Sequence, residues 1–458
     1  MSVKYITFMV SFYSMAKTYN NQKIFLIFLQ IAIISCALSV SLSQLFLGLS
    51  FVLFLFDNER RSRFQITPIS ALILSFFGIY LLSFFWNYSK NENGINFLLD
   101  LRNSEFKDIL LSFGFILTST LDNKERKKIN LAIFILIGIL IITGFFSIFS
   151  IYRFSFLINS IFREIKTWQY QHHYGRISSI DIYLPIGFMN THLTFGGLLL
   201  FFTPYMFFNL LDKWKEKIEL KKKINMSIIS FIFFIIVLLN NARSSMLGSF
   251  FGILFGLIVI IFINKKYNIK SVIRILIIPL TTITFLLALL SISPTIRKTI
   301  LPLLGSEKHT DSGRTFIWDS TFSIIEKNPI LGIGPGNYTK EIDHSRKERS
   351  EKNNDLLYFY EVTQRGHAHN DYFHIIAISG FLNLFLYLGI FYSIGIKIIE
   401  RAKQGKNNNL FFGLIGFFFA GLFQCYFQDD EVVIVFYYLL GILFFPEKKE
   451  LERNEKII

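Results

Sequence analysis

Long apolar blocks, separated by short loops rich in lysine and arginine, constrain this chain more than any other feature. A helix needs about 20 apolar residues to cross the hydrocarbon layer of a bilayer. Only 17% of the residues are charged, whereas roughly 25% are charged in an average soluble domain. The sequence therefore predicts an all-α polytopic integral membrane protein with about 12 transmembrane helices. The candidate spans cover residues 24–39, 41–56, 70–86, 106–120, 129–151, 191–211, 225–240, 243–263, 271–291, 372–394, 410–426 and 432–445.

The net charge of +15 agrees with this topology. Of the 47 lysines and arginines, 28 fall in the N-terminal segment, the C-terminal tail and five loops that alternate with the remaining loops. Short basic loops stay in the cytoplasm, so both the N- and C-termini are expected there. This distribution accounts for the charge without nucleic-acid binding. The first apolar run has no small-residue cleavage site, and no cleavable signal peptide is expected. The two cysteines, Cys36 and Cys425, lie in apolar runs and cannot form a disulfide framework.

Two hydrophilic regions interrupt the spans, and both are predicted to lie on the outer side. The smaller one covers residues 152–190 and the longer one covers residues 292–371. They divide the chain into a membrane domain of nine spans over residues 1–291, the long outer loop between spans 9 and 10, and three final spans with the cytoplasmic tail over residues 372–458. Chemistry is most often carried by such loops.

The long loop shows several local patterns. Apolar spacing from Arg314 onward, including Trp318, predicts a short amphipathic helix that stops at Asn328–Pro329. The glycines of residues 331–338 favour a tight turn over a phosphate-binding loop, because no Lys-Ser/Thr pair follows and no strand precedes them. Residues 340–356 are highly polar and are expected to form a solvated, mobile surface segment.

The loop ends with the sequence Arg365-Gly-His-Ala-His-Asn-Asp371, directly before an apolar block. In an extended segment His367 and His369 would share a face. Three interpretations are open at this stage. The histidines, with Asp371 and His374, could bind a metal, although structural zinc needs a second ligand cluster and none is obvious. They could cap the following helix and meet lipid headgroups. A histidine poised near neutral pH is also the usual general base.

Basic side chains elsewhere are predicted on the same outer side. Arg243 lies between two apolar blocks with almost no loop, where it either snorkels to the surface or holds an anion. Arg176 lies in the smaller loop, shortly before His192. Guanidinium groups match phosphate oxygens bidentately, so such a cluster suits a diphosphate ligand.

Taken together, these residues resemble the bacterial O-antigen ligase and O-antigen polymerase superfamily over about residues 170–450. One position departs from the pattern, because Asn383 stands where the family has its last glycine. The departure concerns helix packing near the site more than its chemistry. The matching segments are Arg243-Ser-Ser-Met-Leu247, Gly313-Arg314-Thr-Phe-Ile-Trp318, Pro329-Ile-Leu-Gly-Ile-Gly334, and His369-Asn370 followed by nine residues to Gly380.

The resemblance implies a glycosyltransferase with a GT-C-like helical bundle in the bacterial cytoplasmic (inner) membrane. Such proteins take a glycan from undecaprenyl diphosphate at the periplasmic face. A ligase transfers it to the sugar of lipid A–core, and a polymerase transfers it to another lipid-linked repeat. Related ligases transfer glycans to protein hydroxyls. We favour the O-antigen ligase form, with a polysaccharide polymerase as the alternative.

The resemblance also implies roles for individual residues. Arg243 and Arg314 would hold the diphosphate as charge develops, with Arg176 as a third arginine, and His369 would act as general base. His367, Asn370 and Asp371 would bind substrate or orient the ring of that base. Attack by one hydroxyl would invert the anomeric centre. We expect no metal and no cofactor, because the arginines can carry the diphosphate.

Two other classes are less well supported. A lipid or polysaccharide transporter would place polar residues at the bilayer midplane, often in repeated halves, and no halves are apparent here. A purely structural membrane protein would have no reason to gather arginines and histidines on one side. The expected partners are the lipid-linked glycan donor, lipid A–core or another glycan acceptor, and membrane lipids, with no nucleic acid.

Overall fold

The computed structural model describes residues 21–88, 100–162, 169–264 and 309–445, apart from residues 102, 178 and 365. The helices of the first half are α1 (Asn21–Ser35), α2 (Val40–Phe56), α3 (Asn58–Arg63), α4 (Pro68–Tyr88), α5 (Phe113–Ser119), α6 (Asn123–Ser147), α7 (Phe154–Phe162), α8 (His192–Lys215), α9 (Leu220–Asn240) and α10 (Arg243–Ile258). Those of the second half are α11 (His309–Lys327), α12 (Tyr338–Lys352), α13 (Leu357–Val362), α14 (Asp371–Lys403), α15 (Phe412–Ala420) and α16 (Asp430–Leu443). Short elements complete the fold: 3₁₀ turns at Glu105–Leu110, Asn354–Leu356, Asn409–Phe411 and Tyr426–Gln428, a π-helical turn at Val259–Ile263, and an antiparallel pair of strands, β1 (His173–Ile177) and β2 (Ile180–Tyr183).

Six of the described helices are long and apolar enough to cross a membrane, namely α4, α6, α8, α9, α14, and α10 with its π-helical extension. Three shorter apolar helices accompany them, α1, α2 and α15 with the turn before it. The prediction of an all-α polytopic membrane protein is therefore confirmed. The predicted span 106–120 is broken, because a 3₁₀ turn precedes α5 there. The predicted span 271–291 lies outside the described residues, so the count of twelve stays a prediction.

Loops that the charge pattern places on the same side of the membrane contact each other in the structure. Arg60, before α4, forms a bidentate ion pair with Glu125 in the first turn of α6, at 2.6 and 3.1 Å. Asn409, before α15, donates to the carboxylate of Asp212 near the end of α8 at 3.0 Å. Loops assigned to the same side thus meet in space. Which end faces the cytoplasm is a prediction from charge alone.

Close packing of α10 against α15 determines at which end of the bundle α10 starts. A side chain on Gly248 would overlap the carbonyl oxygen of Gly416, and one on Gly252 would meet the carbonyl oxygen of Phe412. Small residues let helix backbones approach closely inside membranes. These pairings run antiparallel, so Arg243 at the start of α10 lies at the same end as the last residue of α15.

Helix α14 is broken at Gly380, and the glycine turn of the long loop fits into the break. Gly380 has φ 79°, and a side chain there would overlap the carbonyl oxygen of Ile330. The predicted tight turn is confirmed, because Gly332, Gly334 and Gly336 all have a positive φ. Backbone hydrogen bonds join the turn to the helix in both directions. The pairs are Ile333 N–H to Ala377 O (2.9 Å), Gly334 N–H to Ile378 O (3.0 Å) and Phe381 N–H to Pro329 O (2.8 Å).

Helices α11 and α12 pack together in the long loop. The predicted helix beginning near Arg314 and ending before Asn328–Pro329 is confirmed by α11. The expectation of a solvated segment over 340–356 is wrong, because most of it is helix α12 with one buried face. Four of the buried residues recur every four positions and so lie on one face of the helix. The high overall charge of the segment conceals this pattern. The four are Tyr338, Ile342, Arg346 and Ser350.

Candidate functional site

The stretch between α15 and α16, residues 421–429, forms a platform. It lies beneath residues 367–371, which lead from the long loop into α14 and are called the joining segment below. The only helical part of the platform is one 3₁₀ turn. The predicted span 410–426 therefore ends early, at Ala420. The platform holds the joining segment through both backbone and side chains. The contacts are Asp371 N–H to Gly421 O (2.7 Å), Asn370 Nδ2 to Leu422 O (2.9 Å), Asn370 N–H to Cys425 Sγ (3.2 Å) and Phe427 N–H to Asp371 Oδ1 (3.0 Å).

Asn370 and Asp371 are buried and engaged by the protein itself. The side-chain oxygen of Asn370 also accepts from Phe373 N–H at 3.0 Å and caps α14. Carboxylates and amides at a helix N-terminus satisfy its first N–H groups. The geometry gives both residues an anchoring role, and their predicted contact with substrate stays a prediction.

His369 is held in a backbone conformation that side chains rarely adopt. Its φ is 50°, and among the described non-glycine residues only Asn241 shares a positive φ. Its ring is half-buried, and Nδ1 lies 2.9 Å from Oε1 of Gln424 on the platform. The residues predicted to orient this ring were His367, Asn370 and Asp371. The side chain that accepts a hydrogen bond from this ring is Gln424, which the sequence did not single out.

The rings of His367 and His369 are in contact and differ in electrostatics. Their ring centroids are 4.6 Å apart in an edge-to-face arrangement. Burial lowers the pKa of His367 to about 3, with smaller contributions from His369 and His374. Burial also lowers the pKa of His369, and the charge of Arg314 lowers it further, while the hydrogen bond to Gln424 raises it. Both shifts favour the neutral form of the ring.

Arg314 lies in α11, beside the joining segment. Its charge acts on His369, on His192 at the start of α8, and on Tyr426 of the platform. One turn later, Trp318 donates from its indole N–H to the carbonyl of Ala368 at 3.0 Å. The same short helix thus brings a cation to His369 and fixes the backbone next to it.

A second layer supports the loop that carries the histidines. Arg346 of α12 is fully buried, and its guanidinium donates to the carbonyls of Gln364 (2.8 Å) and Thr363 (2.9 Å). The side chain of Gln364 then donates to the carbonyl of His367 at 2.7 Å. A buried arginine needs such partners to offset its desolvation. The predicted surface segment therefore contains a support for the site.

Arg243 begins α10 and is exposed, next to the platform. The residue after it, Ser244, shares a hydrogen bond of 3.0 Å with the hydroxyl of Tyr426. Since the charge of Arg314 also acts on Tyr426, this platform residue lies close to both α11 and the start of α10. The N-cap of α10 is Ala242, which has no polar side chain to cap the helix. A helix N-terminus favours an anion, and the structure brings Arg243, Arg314 and His369 to one end of the bundle.

Arg176 is engaged elsewhere. It lies on strand β1, is 63% exposed, and forms a bidentate ion pair with Asp181 of β2 at 2.8 and 3.0 Å. Its strand packs on the turn before α10, because the hydroxyl of Tyr174 donates to the carbonyl of Leu239 at 2.8 Å. The hairpin thus lies at the site end of the bundle, and a contact of Arg176 with substrate stays a prediction.

Sequence reasoning missed the platform. The available signal was a set of polar residues near and just beyond the end of the apolar block at 410–426, namely Gln424, Gln428, Asp429, Asp430 and Glu431. Asp429, in that set, accepts from the hydroxyl of Thr194 at 2.7 Å. Among the described residues, no three His, Cys, Asp or Glu side chains are arranged to hold a metal ion.

The family model described as O-antigen ligase matches residues 228–388, about a third of the chain. The match contains Arg243, Arg314 and the segment from His367 to Asp371, whereas Arg176 and the platform lie outside it. No curated protein matches the chain. The family supports an O-antigen ligase or polymerase-type function in polysaccharide biosynthesis. Residues 228–388 of this multi-pass membrane protein are thus similar to the O-antigen ligase family.

Proposed function

We propose that this protein is an O-antigen ligase, a glycosyltransferase of the bacterial inner membrane. It transfers a glycan from undecaprenyl diphosphate to lipid A–core at the periplasmic face, in lipopolysaccharide biosynthesis. The observation that carries the proposal is the ring of His369, held at a positive φ and hydrogen-bonded to Gln424, beside the cation of Arg314 in a segment that matches the family. A base and a diphosphate-binding cation are the two groups that this reaction requires.

The arginines act on the leaving group. As the bond from the sugar to the diphosphate breaks, negative charge grows on the phosphate oxygens. Arg243 and Arg314 hold this charge through charge-assisted hydrogen bonds, which are roughly twice as strong as neutral ones. Donors fixed in advance are most effective where charge develops in the transition state. Both side chains retain exposed surface, Arg243 more than Arg314, so an anionic headgroup can reach them.

His369 acts on the acceptor. A sugar hydroxyl has a pKa far above 7 and needs a base as it attacks the anomeric carbon. General bases work best with a pKa near the operating pH. The pKa of His367, at about 3, is too low for that role, so His369 is the base and His367 shapes its surroundings. The hydroxyl proton passes to His369 as the new glycosidic bond forms, and the attack inverts the anomeric centre. The scheme uses no metal and no cofactor.

The test is a gel of glycolipids from cells that lack this gene. The deletion strain is complemented with wild type, with His369→Ala, or with nothing. For a ligase, long glycan accumulates on the undecaprenyl carrier and none reaches lipid A–core unless wild type is supplied. His369→Ala should behave as the empty control while inserting normally.

Two other results would change the conclusion. If the deletion leaves lipid A–core carrying a single repeat while long chains vanish, the protein is a polymerase. If His369→Ala restores wild-type glycolipids, His369 is not the base. Transfer that is lost on chelation and restored by one divalent ion would overturn the metal-free scheme.

A further inference from the structure

We propose that Gln424 is a positioning residue that fixes the tautomer of His369, leaving Nε2 as the nitrogen that takes the acceptor proton. The inference rests on the proposed function, in which His369 is the base. It adds a residue outside the matched family segment, 55 positions along the chain from the histidine.

The geometry of one contact carries the argument. Oε1 of Gln424 lies 2.9 Å from Nδ1 of His369, within the range for a hydrogen bond between nitrogen and oxygen. A carbonyl oxygen only accepts, so the ring proton must lie on Nδ1. In a neutral imidazole one nitrogen donates and the other accepts. Nε2 therefore keeps its lone pair, as a base requires.

The ring and its partner are both held in place. Gln424 is buried on the platform, so its amide does not exchange freely with water. The backbone on either side of His369 is fixed as well, by Trp318 at Ala368 and by Cys425 at Asn370. These anchors maintain the positive φ of His369. A strained conformation persists only where the surroundings determine it, and such positions cluster at functional sites.

Charged and titratable neighbours set the basicity of the ring. Arg314 from α11 disfavours the imidazolium, and His367 stacks edge to face from the same segment. The thiol of Cys425 lies against the backbone from the platform side. Burial and Arg314 both lower the pKa of His369, and Gln424 opposes them. Gln424 thereby keeps the base strong enough to accept a proton while Arg314 keeps it neutral.

The experiment uses the full-length protein in lipid nanodiscs. The donor is lipid-linked glycan extracted from the deletion strain, and the acceptor is lipid A–core from cells that make no glycan. Initial transfer rates are measured from pH 4.5 to 8.5 for wild type, Gln424→Glu, Gln424→Leu and Gln428→Leu. The last is a matched control on the same platform, because the side-chain nitrogen of Gln428 is buried without a hydrogen-bond partner among the described residues.

We expect the two variants at position 424 to differ in direction. Gln424→Leu removes the acceptor, so kcat falls about tenfold to a hundredfold, within the total contribution of a general base, while KM for the donor stays the same. Its acid limb moves to lower pH. Gln424→Glu still accepts from Nδ1 and adds a negative charge, so it keeps most activity and its acid limb moves to higher pH. Gln428→Leu should match wild type in both rate and pH profile.

Three results would overturn the inference, and each is separate from failure of the proposed function. If both variants at position 424 keep the wild-type pH profile, Gln424 does not act on the base. If Gln424→Glu is inactive and Gln424→Leu is active, the amide donates from Nε2 and the tautomer is the reverse. Nitrogen-15 shifts of the His369 ring report the tautomer without any turnover, and a proton on Nε2 would also contradict it. Absence of transfer by wild type would reject the proposed function instead.

Discussion

The two ends of the helical bundle use buried polar groups in opposite ways. At the end predicted to face the cytoplasm, Arg60 is 1% exposed, pairs with Glu125 and lies 3.9 Å above the ring of Phe25. Helix α6 begins there with a complete capping box at Asp122. At the other end, α10 begins without a side-chain cap, α14 breaks at Gly380, and Arg243 is exposed.

This difference shows what each end does. A bidentate pair closed within the protein fixes two helices and leaves little for a ligand. The site end instead holds the backbone rigid through the platform and leaves arginine and histidine side chains partly accessible. Strain and irregular backbone are stored at functional sites. We therefore expect substitutions at the site end to alter transfer and substitutions at the opposite end to alter stability.

Replacement of His369 should give the largest effect on transfer. We expect His369→Ala to lower kcat by about 10²–10⁴-fold, the usual contribution of a general base, with donor affinity retained. The wild-type rate should rise with pH through an acid limb below pH 6.5, because burial lowers the pKa of His369 and the neutral ring is the active form. His344→Ala, an exposed histidine in α12, is the matched control. An equal loss in both variants would exclude a specific role for His369.

The arginines should follow, with effects that depend on geometry as well as charge. Arg314→Lys and Arg243→Lys keep the charge and lose the bidentate fork, so we expect kcat/KM to fall about tenfold to a hundredfold, as for loss of a charged hydrogen bond. Arg176→Lys should lower it less than about threefold, because Asp181 already holds that guanidinium. Arg349→Lys in α12 serves as control. A large loss in Arg176→Lys would establish it as a third phosphate-binding arginine.

The sequence predicted which residues meet at the candidate site better than it predicted what supports them. Arg243, Arg314 and His369 were found because their motifs are local, and the helix around Arg314 followed from its apolar spacing. The partner of His369 was not found, because Gln424 follows an apolar run that hydropathy alone extends to residue 426. Contacts between distant segments leave no periodic signal in a single sequence.

The sequence also did not reveal where the backbone breaks or which helix faces are buried. Gly380 belonged to the resembling pattern, but nothing in the sequence indicated that α14 breaks there to admit another segment. The buried face of α12 was missed for a different reason. Arg346 reads as a surface charge among many others, and only its position four residues after Ile342 distinguishes it.

The break in α14 should be sensitive to a single methyl group. Gly380→Ala introduces a side chain at φ 79° and against the carbonyl of Ile330, so we expect a loss of at least about 1–3 kcal/mol in stability. Transfer should fall with it, because the same turn leads into α12 and its support of the site. Gly395→Ala, on the same helix with open space around it, should instead stabilise by about 0.5–1 kcal/mol. Thermal unfolding of both variants in detergent measures the difference, and equal midpoints would contradict it.

The smallest effect on transfer should come from the end opposite the site. Arg60→Met leaves the carboxylate of Glu125 buried without its bidentate partner, and removal of one member of a buried pair costs about 3–5 kcal/mol. Arg63→Met is the matched control, because Arg63 is 31% exposed and 3.7 Å from the same carboxylate, and exposed pairs contribute about 0–1 kcal/mol. We expect Arg60→Met to lower the unfolding temperature strongly while the folded protein keeps its kcat and its pH profile. If folded Arg60→Met loses transfer as Arg314→Lys does, the two ends are coupled, and Arg60 belongs to the conformational control of the site rather than to helix packing alone.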